Sequence, residues 1–169
     1  MTSVLHGTAT TLRPVRPEDA DTLADILADP EVSRWWGRYD PDRVRRDLIE
    51  ADDTVVYAVE LDGEVIGSIQ YVEERAPDYR HASLDIFLRS TWHGKGLGTD
   101  AVRTLTRHLI HDRGHHRLTI DPSVDNEKAI RTYKRVGFRE VGVMRRYERN
   151  PDGEWQDCLL MDLLEPDLD

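Results

Sequence analysis

Three glycines within five residues mark the part of this sequence with the clearest chemical potential. Residues 92–99 read Trp-His-Gly-Lys-Gly-Leu-Gly-Thr, between an apolar, strand-like run at 82–88 and a helix-like run at 101–110. Glycine lets the backbone adopt left-handed turns and approach a ligand closely. The unpaired N–H groups and the positive dipole end of the following helix would point back at this loop. A pyrophosphate is the ligand that such a loop would bind best.

Spacing excludes two other phosphate-binding motifs. A P-loop needs four residues between its first glycine and a Gly-Lys-Ser/Thr, whereas here Gly-Lys is followed by Gly-Leu-Gly. A dinucleotide-binding fold needs Gly-x-Gly-x-x-Gly near the start of alternating strands and helices, with an acidic residue about 20 residues later. A tight strand-to-helix connection without a ligand stays open, because a single glycine-rich turn is a weak motif.

Two aspartates stand beside apolar strand-like runs. Asp85 interrupts the run Leu-Asp-Ile-Phe-Leu, and a carboxylate in such surroundings must find a partner or shift its pKa. Asp121 follows the next strand, at the end where open α/β sheets place ligand-binding groups. Acids on neighbouring parallel strands favour a polyamine over a neutral substrate. An ion pair of Asp85 with an arginine, and a simple turn at Asp121, stay open as structural alternatives.

Composition limits the classes of protein to consider. With 169 residues, 38% hydrophobic and 33% charged, the chain suits one domain spanning residues 1–169. Its formal net charge of −10 disfavours nucleic acid and attracts a cationic small molecule. There is no apolar run of about 18 residues that would predict a membrane span, and residues 1–12 lack a signal-peptide pattern. The single cysteine, Cys158, suits the core of a cytoplasmic protein without an internal disulfide.

Four histidines between residues 108 and 116 raise the question of a metal site. Only His108 and His111 share a helical face, and no acidic residue is suitably spaced with them. Gly114 interrupts the pattern before His115 and His116. We therefore expect no bound metal.

The remaining patterns predict a mixed α/β fold that positions these residues. Strand-like runs predict seven strands, at residues 8–16, 55–61, 64–72, 82–89, 115–121, 138–148 and 155–164. Apolar residues at helical spacing, with caps and breakers, predict four helices, at residues 17–30, 41–49, 97–112 and 126–136. The helix between the fourth and fifth strands predicts a parallel crossover in a sheet otherwise built from hairpins.

The mid-chain strand, glycine-rich turn and helix, followed by a strand, an Asn-capped helix, a tyrosine and Gly-Phe, resemble the GNAT superfamily of acetyl-CoA-dependent N-acetyltransferases. Its motif Gln/Arg-x-x-Gly-x-Gly/Ala corresponds to residues 93–98, with His93 in place of the first residue. The resemblance implies a GNAT-like fold, with a central mixed sheet of about seven strands flanked by about four helices.

A narrower resemblance covers most of the chain after residue 30. Residues 31–37 with Trp35-Trp36, 69–71, 84–88, 94–99 and 121–138 are similar to the aminoglycoside 6′-N-acetyltransferases. Siderophore-type lysine N-acyltransferases share part of this pattern. One departure lies at residues 72–79, where that subgroup carries a longer acidic insertion.

The resemblance implies roles for individual residues. Asp85 would take the proton of the attacking amine, directly or through water, and Tyr133 would protonate the leaving thiolate. An oxyanion donor would be a main-chain N–H near Phe87 or Leu88. The implied substrate contacts are Trp35, Trp36, Tyr39, Gln70, Asp85 and Asp121. The implied cofactor contacts are Phe87, Leu88, His93, Gly94, Lys95, Gly96, Leu97, Gly98, Thr99, Asn126, Ala129 and Tyr133.

Structural alternatives stay open for some of these residues. Tyr133 and one of the two tryptophans could pack in the core, and Asn126 could serve only as a helix cap. We expect an acetyl-CoA-dependent enzyme that acetylates a polycationic small molecule, such as the 6′-amine of an aminoglycoside, by direct attack in a ternary complex. Acylation of a protein N-terminus or a siderophore lysine, and a non-catalytic acyl-CoA-binding module, are the alternatives. We expect a monomer or homodimer with no nucleic-acid or membrane partner.

Overall fold

One mixed β-sheet organises the molecule, and helices pack on both of its faces. The computed structural model describes residues 2–168. Within that range the strands are β1 Leu5–His6, β2 Thr11–Pro14, β3 Val55–Leu61, β4 Glu64–Glu74, β5 His81–Leu88, β6 Arg117–Ile120, β7 Arg139–Arg149 and β8 Trp155–Leu164. The helices are α1 Ala20–Ala28, α2 Pro30–Trp36, α3 Pro41–Val44, α4 Leu97–Arg107 and α5 Glu127–Val136. The eight strands lie in the order β1-β2-β3-β4-β5-β6-β8-β7.

The predicted strands and helices are present, and two further elements join them. The predicted helices at 41–49 and 97–112 end as π-helical turns, over Arg45–Ile49 and His108–Asp112. β1 pairs with β2 but is only two residues long, which is too short for alternation to show in the sequence. α2 begins at Pro30, and Asp29 accepts a hydrogen bond from the Glu31 amide at 3.0 Å. The Asp-Pro pair therefore does more than end α1, because it also caps a new helix.

The parallel crossover predicted between the fourth and fifth strands is confirmed. β5 and β6 run parallel, but they pair only at Ala82 with Leu118 and at Ser83 with Thr119. β5 stays antiparallel to β4 along its whole length, as far as the pair of Leu88 with Gly67. The last five residues of β5 therefore have β4 on one side and a gap on the other.

Two apolar cores hold the helices against opposite faces of the sheet. The apolar stripe of α4, formed by Leu97, Ala101 and Leu105, is buried in the first core, which also contains Leu84 and Leu88 of β5. The second core lies beneath α1, α2 and α3 and takes Phe87. Successive strand residues point to opposite faces, so Asp85 shares the face of Phe87. The end of β5 thus lies between both groups of helices.

The single cysteine lies in the core, as its apolar surroundings in the sequence predict. Cys158 is buried and unpaired in β8, and burial raises the pKa of its thiol to about 12. Among residues 2–168, no group of three or more His, Cys, Asp or Glu side chains is arranged to hold a metal ion. Over the same residues, every helix is too short or too polar to cross a bilayer.

Asp100 in α4 holds the segment that precedes β2. Its carboxylate accepts hydrogen bonds from the backbone N–H groups of Thr8, Ala9 and Thr10 and from the Thr10 hydroxyl, at 2.7 to 3.1 Å. This segment belongs to the predicted strand at 8–16, which is shortened to β2 because these amides bind Asp100. Burial alone would raise the pKa of Asp100, but the hydrogen bonds outweigh it and the pKa lies below its usual value.

We expect Asp100→Asn to lower the free energy of unfolding by about 1–2 kcal/mol at pH 7, because an amide offers one acceptor oxygen instead of two. Since the folded-state pKa of Asp100 is depressed, its contribution is present above the unfolded-state pKa and is lost as the pH falls through the folded-state value. Urea denaturation from pH 7 to pH 3 measures this. A difference between wild type and variant that does not shrink toward pH 3 would contradict the assignment.

Candidate active site

A cleft of about 640 Å³ opens beside the last residues of β5. Its walls come from α2, the end of β5, the glycine-rich loop, the residues after β6, α5, and the ends of β7 and β8 that face it. Most of the predicted site residues line it: Trp35, Trp36, Asp85, Phe87, Leu88, His93, Gly94, Gly96, Leu97, Gly98, Thr99, Asp121, Asn126, Ala129 and Tyr133. Three predicted residues, Tyr39, Gln70 and Lys95, lie outside this lining.

The glycine-rich loop reaches the cleft in the conformation that its glycines allow. Gly94 and Gly96 have φ values of +75° and +81°, a region that side chains disfavour. Gly96 is the N-cap of α4, and no side chain within residues 2–168 caps that first turn. A Cβ atom built at Gly94 or Gly96 would meet no heavy atom within 4 Å. The loop therefore presents free amide groups and open space to an anion.

The end of β5 turns backbone groups toward the same cleft. The Arg89 amide donates to the Ile66 carbonyl of β4 at 2.8 Å. Since strand residues alternate, Ile86 and Leu88 direct their N–H and C=O groups away from β4, into the gap. The Leu88 carbonyl lies 2.8 Å from His93 Nε2. The Leu88 N–H faces the cleft beside the glycine-rich loop.

Among the acidic residues that line the cleft, Asp85, Asp121 and Glu148 lie close enough together for their charges to interact. The other acidic lining residues are Glu31, Asp125 and Glu127. Although water reaches Asp85 through the cleft, protein surrounds the carboxyl on its other sides. This desolvation raises the pKa of Asp85 to about 7. A hydrogen bond from the Ile86 amide, at 2.9 Å, opposes the shift, and the charges of Asp121 and Glu148 add to it.

Asp121 experiences a similar environment. Desolvation and the nearby Glu148 charge raise the pKa of Asp121 to about 6, and the neighbouring Tyr147 hydroxyl opposes this shift. Because the acids influence one another, Asp85 and Asp121 titrate as a coupled group around neutral pH. At pH 7 the cleft therefore contains ionised carboxylates together with a protonated fraction of Asp85, and Asp85 can both accept and release a proton.

Within residues 2–168, no ion pair joins these three acids to a basic side chain. None of the lysines, arginines and histidines between residues 2 and 168 forms an ion pair with Asp85, Asp121 or Glu148. By contrast, Asp19 pairs with Arg13 at 2.7 Å in the interior. The ion pair of Asp85 with an arginine, one of the sequence-based alternatives, does not form. Because these negative charges are not paired within the described residues, a positively charged ligand could bind them.

Tyr133 of α5 both packs in the core and lines the cleft. Its ring is only 4% exposed and meets Phe138 edge-on, with the ring centroids 6.2 Å apart. Burial, and then the charges of Asp85 and Asp121, raise the pKa of its hydroxyl well above the usual value. The phenol therefore keeps its proton at neutral pH and can donate it.

Asn126 likewise caps a helix and lines the cleft, the two roles considered for it from the sequence. Its Oδ1 accepts a hydrogen bond from the Ala129 amide at 3.3 Å, so it caps α5, and both residues also line the cleft.

Trp35 and Trp36 form an aromatic wall on α2. The Trp36 ring packs edge-on against Phe87 at 4.8 Å, and its Nε1 donates to the Ile86 carbonyl at 3.3 Å. The Trp35 ring lies 4.5 Å beneath the Arg34 guanidinium. Trp36 is thus held by β5, whereas Trp35 already shows that its face accepts a cation.

Asp29 ties this wall to the segment that precedes the glycine-rich loop. Besides capping α2, its carboxylate accepts a hydrogen bond from the Ser90 hydroxyl. One turn earlier, Asp25 pairs with Arg89 at 2.9 Å. Helices α1 and α2 are therefore fastened to the residues that follow β5.

Tyr39 and Gln70 lie near the cleft without lining it. Tyr39 packs beneath the Arg43 guanidinium at 3.9 Å and against the second core. Gln70 stands opposite Asp85 across the β4–β5 pair. Its Oε1 is buried, and no hydrogen-bond partner for it lies in the described part of the chain.

Two groups of residues that line the cleft are not among the site residues predicted from the sequence. Glu148 and Gln156 belong to the last hairpin, and no local signal placed either of them in a site. Lys128, Arg131 and Arg135 of α5 are lining residues as well. Their helical spacing on one face of α5 was a signal that could have found them. The cleft thus carries bases on α2 and α5, and its interacting acids lie on β5, on β7 and directly after β6.

Comparisons with known proteins agree with this geometry. The family model described as "Acetyltransferase (GNAT) domain" matches residues 10–139. Aminoglycoside N(6′)-acetyltransferase type 1 of Klebsiella pneumoniae is 32% identical over 162 residues, covering 85% of this chain and 78% of that protein. Spermidine N(1)-acetyltransferase of Escherichia coli K12 is 26% identical over 157 residues, covering 89% and 83%.

Among solved structures, Mycobacterium smegmatis RimJ in complex with CoA-disulfide superimposes with a TM-score of 0.84 at 27% identity. The match covers 98% of this chain and 88% of RimJ. The family-model match, the mixed sheet and the glycine-rich loop lead to one conclusion. The chain belongs to the GNAT family and is an acetyl-CoA-dependent N-acetyltransferase.

Proposed function

We propose that this enzyme acetylates a primary amine of a polycationic small molecule, and that the 6′-amine of aminoglycosides is its target. The observation that carries the proposal is the group formed by Asp85, Asp121 and Glu148, which has no basic partner in the described part of the chain. An ammonium-bearing substrate would supply the missing positive charge. The similarity to an aminoglycoside N(6′)-acetyltransferase supports the aminoglycoside in particular.

The residues around the glycine-rich loop fit the cofactor. Gly94 and Gly96 leave open space that a side chain would fill, and the amides of the loop and of the first turn of α4 would bind the pyrophosphate. Lys128 and Arg131 of α5 would add positive charge for phosphate groups. When bound, acetyl-CoA supplies a thioester whose acetyl carbon can accept an amine.

The catalytic roles follow from where proton donors and acceptors lie. Ionised Asp85 would accept the proton that the amine nitrogen loses as it bonds to the acetyl carbon. The Leu88 N–H would stabilise the negative charge that develops on the carbonyl oxygen. Tyr133 would donate its proton to the departing sulfur. Direct attack in a ternary complex needs no covalent link to the protein.

The aromatic wall and the acids would bind the rest of the substrate. Trp35 offers a ring face for sugar C–H groups or an ammonium ion. Asp121 would bind a second ammonium group while Asp85 receives the reacting one. A linear polyamine is the second candidate, supported by the similarity to spermidine N(1)-acetyltransferase.

A panel of amines tests the proposal by measuring release of the free thiol of coenzyme A. We expect kanamycin to react with the highest kcat/KM, ahead of spermidine, a peptide with a free N-terminal alanine and a lysine derivative. If only the peptide or the lysine derivative is acetylated, the proposal of a polycationic substrate is wrong. Binding of acetyl-CoA without thiol release for any amine would favour the non-catalytic alternative.

We expect Tyr133→Phe to lower kcat by about five- to tenfold, less than is typical for loss of a general acid, because a thiolate is already a fair leaving group. The affinity for acetyl-CoA should stay near that of wild type. Tyr79→Phe is the matched control, since Tyr79 is 73% exposed and lies outside the cleft. Equal kcat values for the two variants would remove Tyr133 from the mechanism.

A further inference from the structure

β7 carries a large irregularity close to the cleft. Met144 pairs with Cys158 of β8, and the next pair is Glu148 with Gln156. Four steps along β7 therefore match two steps along β8, so β7 bulges outward by two extra residues. Arg146, inside the bulge, has a φ of +47°, which is uncommon for a residue with a side chain. Its amide donates to Asp157 Oδ1 at 2.8 Å, which fixes the bulge to β8.

The bulge determines what β7 presents to the cleft. Directly after Arg146, Tyr147 lies close enough to Asp121 for the charge of that carboxylate to raise the pKa of its hydroxyl. The next residue, Glu148, lines the cleft, and its Oε1 accepts a hydrogen bond from Gln156 Nε2 at 2.9 Å. Strained backbone that aims side chains into a cleft is typical of functional positions.

The three acids differ in their surroundings. Asp85 must have a free oxygen for the reacting amine if it is the base. Asp121 lies beside Tyr147, directly after β6. Glu148 is held by the neutral Gln156 amide, which fixes its orientation without neutralising its charge. Glu148 also lies close enough to raise the pKa values of Asp85 and Asp121. It is therefore a fixed negative charge beside the point of reaction.

We propose that Glu148 is a specificity-determining residue, which acts with Asp121 in binding the non-reacting ammonium groups of the substrate and makes the enzyme prefer amines with at least two positive charges. This inference rests on the proposed function. Glu148 takes no part in proton transfer, so its contribution falls on the binding of multiply charged amines. A substrate with one amine has no group for it to bind.

Glu148→Gln tests this with two substrates that share a reacting group. We expect the variant to raise KM for kanamycin by about tenfold, the size of one charge-assisted contact, with kcat changed little. KM for the monoamine 6-amino-6-deoxyglucose should change by less than about twofold on the same reasoning. Glu154→Gln is the matched control, because Glu154 is an exposed residue of the same hairpin outside the cleft.

Equal effects of Glu148→Gln on both substrates, or KM values equal to those of Glu154→Gln, would overturn the proposal. A pH profile gives a further readout, since removing this charge should move the midpoint for kcat/KM to lower pH. If no amine releases thiol, the proposed function fails, and calorimetric titration of kanamycin into the CoA-saturated protein decides the role of Glu148 separately. Weaker binding by Glu148→Gln than by Glu154→Gln supports it, and equal binding overturns it.

Discussion

Replacing Asp85 with asparagine should lower kcat/KM by about 100-fold, at the lower end of the range for loss of a general base. The amide has nearly the shape of the carboxyl but cannot accept the proton of the amine. Acetyl-CoA binding should stay near that of wild type, because the glycine-rich loop is untouched. Steady-state kinetics with kanamycin, together with a binding titration of acetyl-CoA, measures both quantities.

The pH dependence gives this prediction a signature of its own. Because the pKa of Asp85 is raised to about 7, kcat/KM of the wild type should rise with pH through that region as the base form appears. Asp121, Glu148, Tyr39 and Tyr133 are the titratable groups whose charges interact with Asp85, and Asp121 with a pKa of about 6 broadens the rise. Asp85→Asn should flatten it.

Stability should move in the opposite direction to activity. A carboxyl whose folded-state pKa is raised loses stability as the pH rises toward that value, since the unfolded chain ionises more easily. Asp85→Asn removes this penalty and should be more stable than wild type at pH 8. Asp78→Asn, in an exposed loop, is the control for both measurements. Wild-type turnover in Asp85→Asn would exclude Asp85 as the base.

Gly67→Ala should lower the free energy of unfolding by about 3 kcal/mol, near the upper end for overpacking. A Cβ atom at Gly67 would lie 2.1 Å from the Phe87 carbonyl oxygen and 2.9 Å from Leu88 Cα. Both atoms belong to the backbone of β5, so relief requires moving the strand instead of rotating a side chain. That movement would also displace the Leu88 N–H from the cleft.

Gly142→Ala is a matched control for this change. Gly142 also lies in a strand, and a Cβ there would meet nothing within 4 Å. We expect its stability to lie within about 0.5 kcal/mol of wild type. Urea denaturation of both variants measures the difference. If Gly67→Ala is as stable as Gly142→Ala, the close approach of β4 and β5 does not prevent a side chain at residue 67.

The parts of the site that the sequence predicted depend on local patterns. Gly94, Gly96 and the apolar stripe of α4 belong to one continuous segment, so the loop and the helix could be predicted together. Asp85 and Asp121 could be singled out because each is charged beside a buried strand. Their meeting in one cleft needed only the parallel crossover, which the helix between β5 and β6 predicted.

The parts that went unpredicted depend on long-range contacts. Glu148 reaches the cleft only because β7 has two more residues than β8 in the same interval. That register depends on the contact between the Arg146 amide and Asp157, which are eleven residues apart. Tyr39, close in sequence to Trp35 and Trp36, packs beneath Arg43 instead of facing the cleft. Patterns within one segment do not encode such choices.

The carboxylate of Asp29 joins two binding regions through a single side chain. It caps the helix that carries Trp35 and Trp36, and it holds Ser90 shortly before the glycine-rich loop. We expect a ligand that orders the loop to order the aromatic wall as well, so that the entropy of ordering is lost once for both ligands. Thermodynamic linkage then requires that each ligand raise the affinity for the other by the same factor.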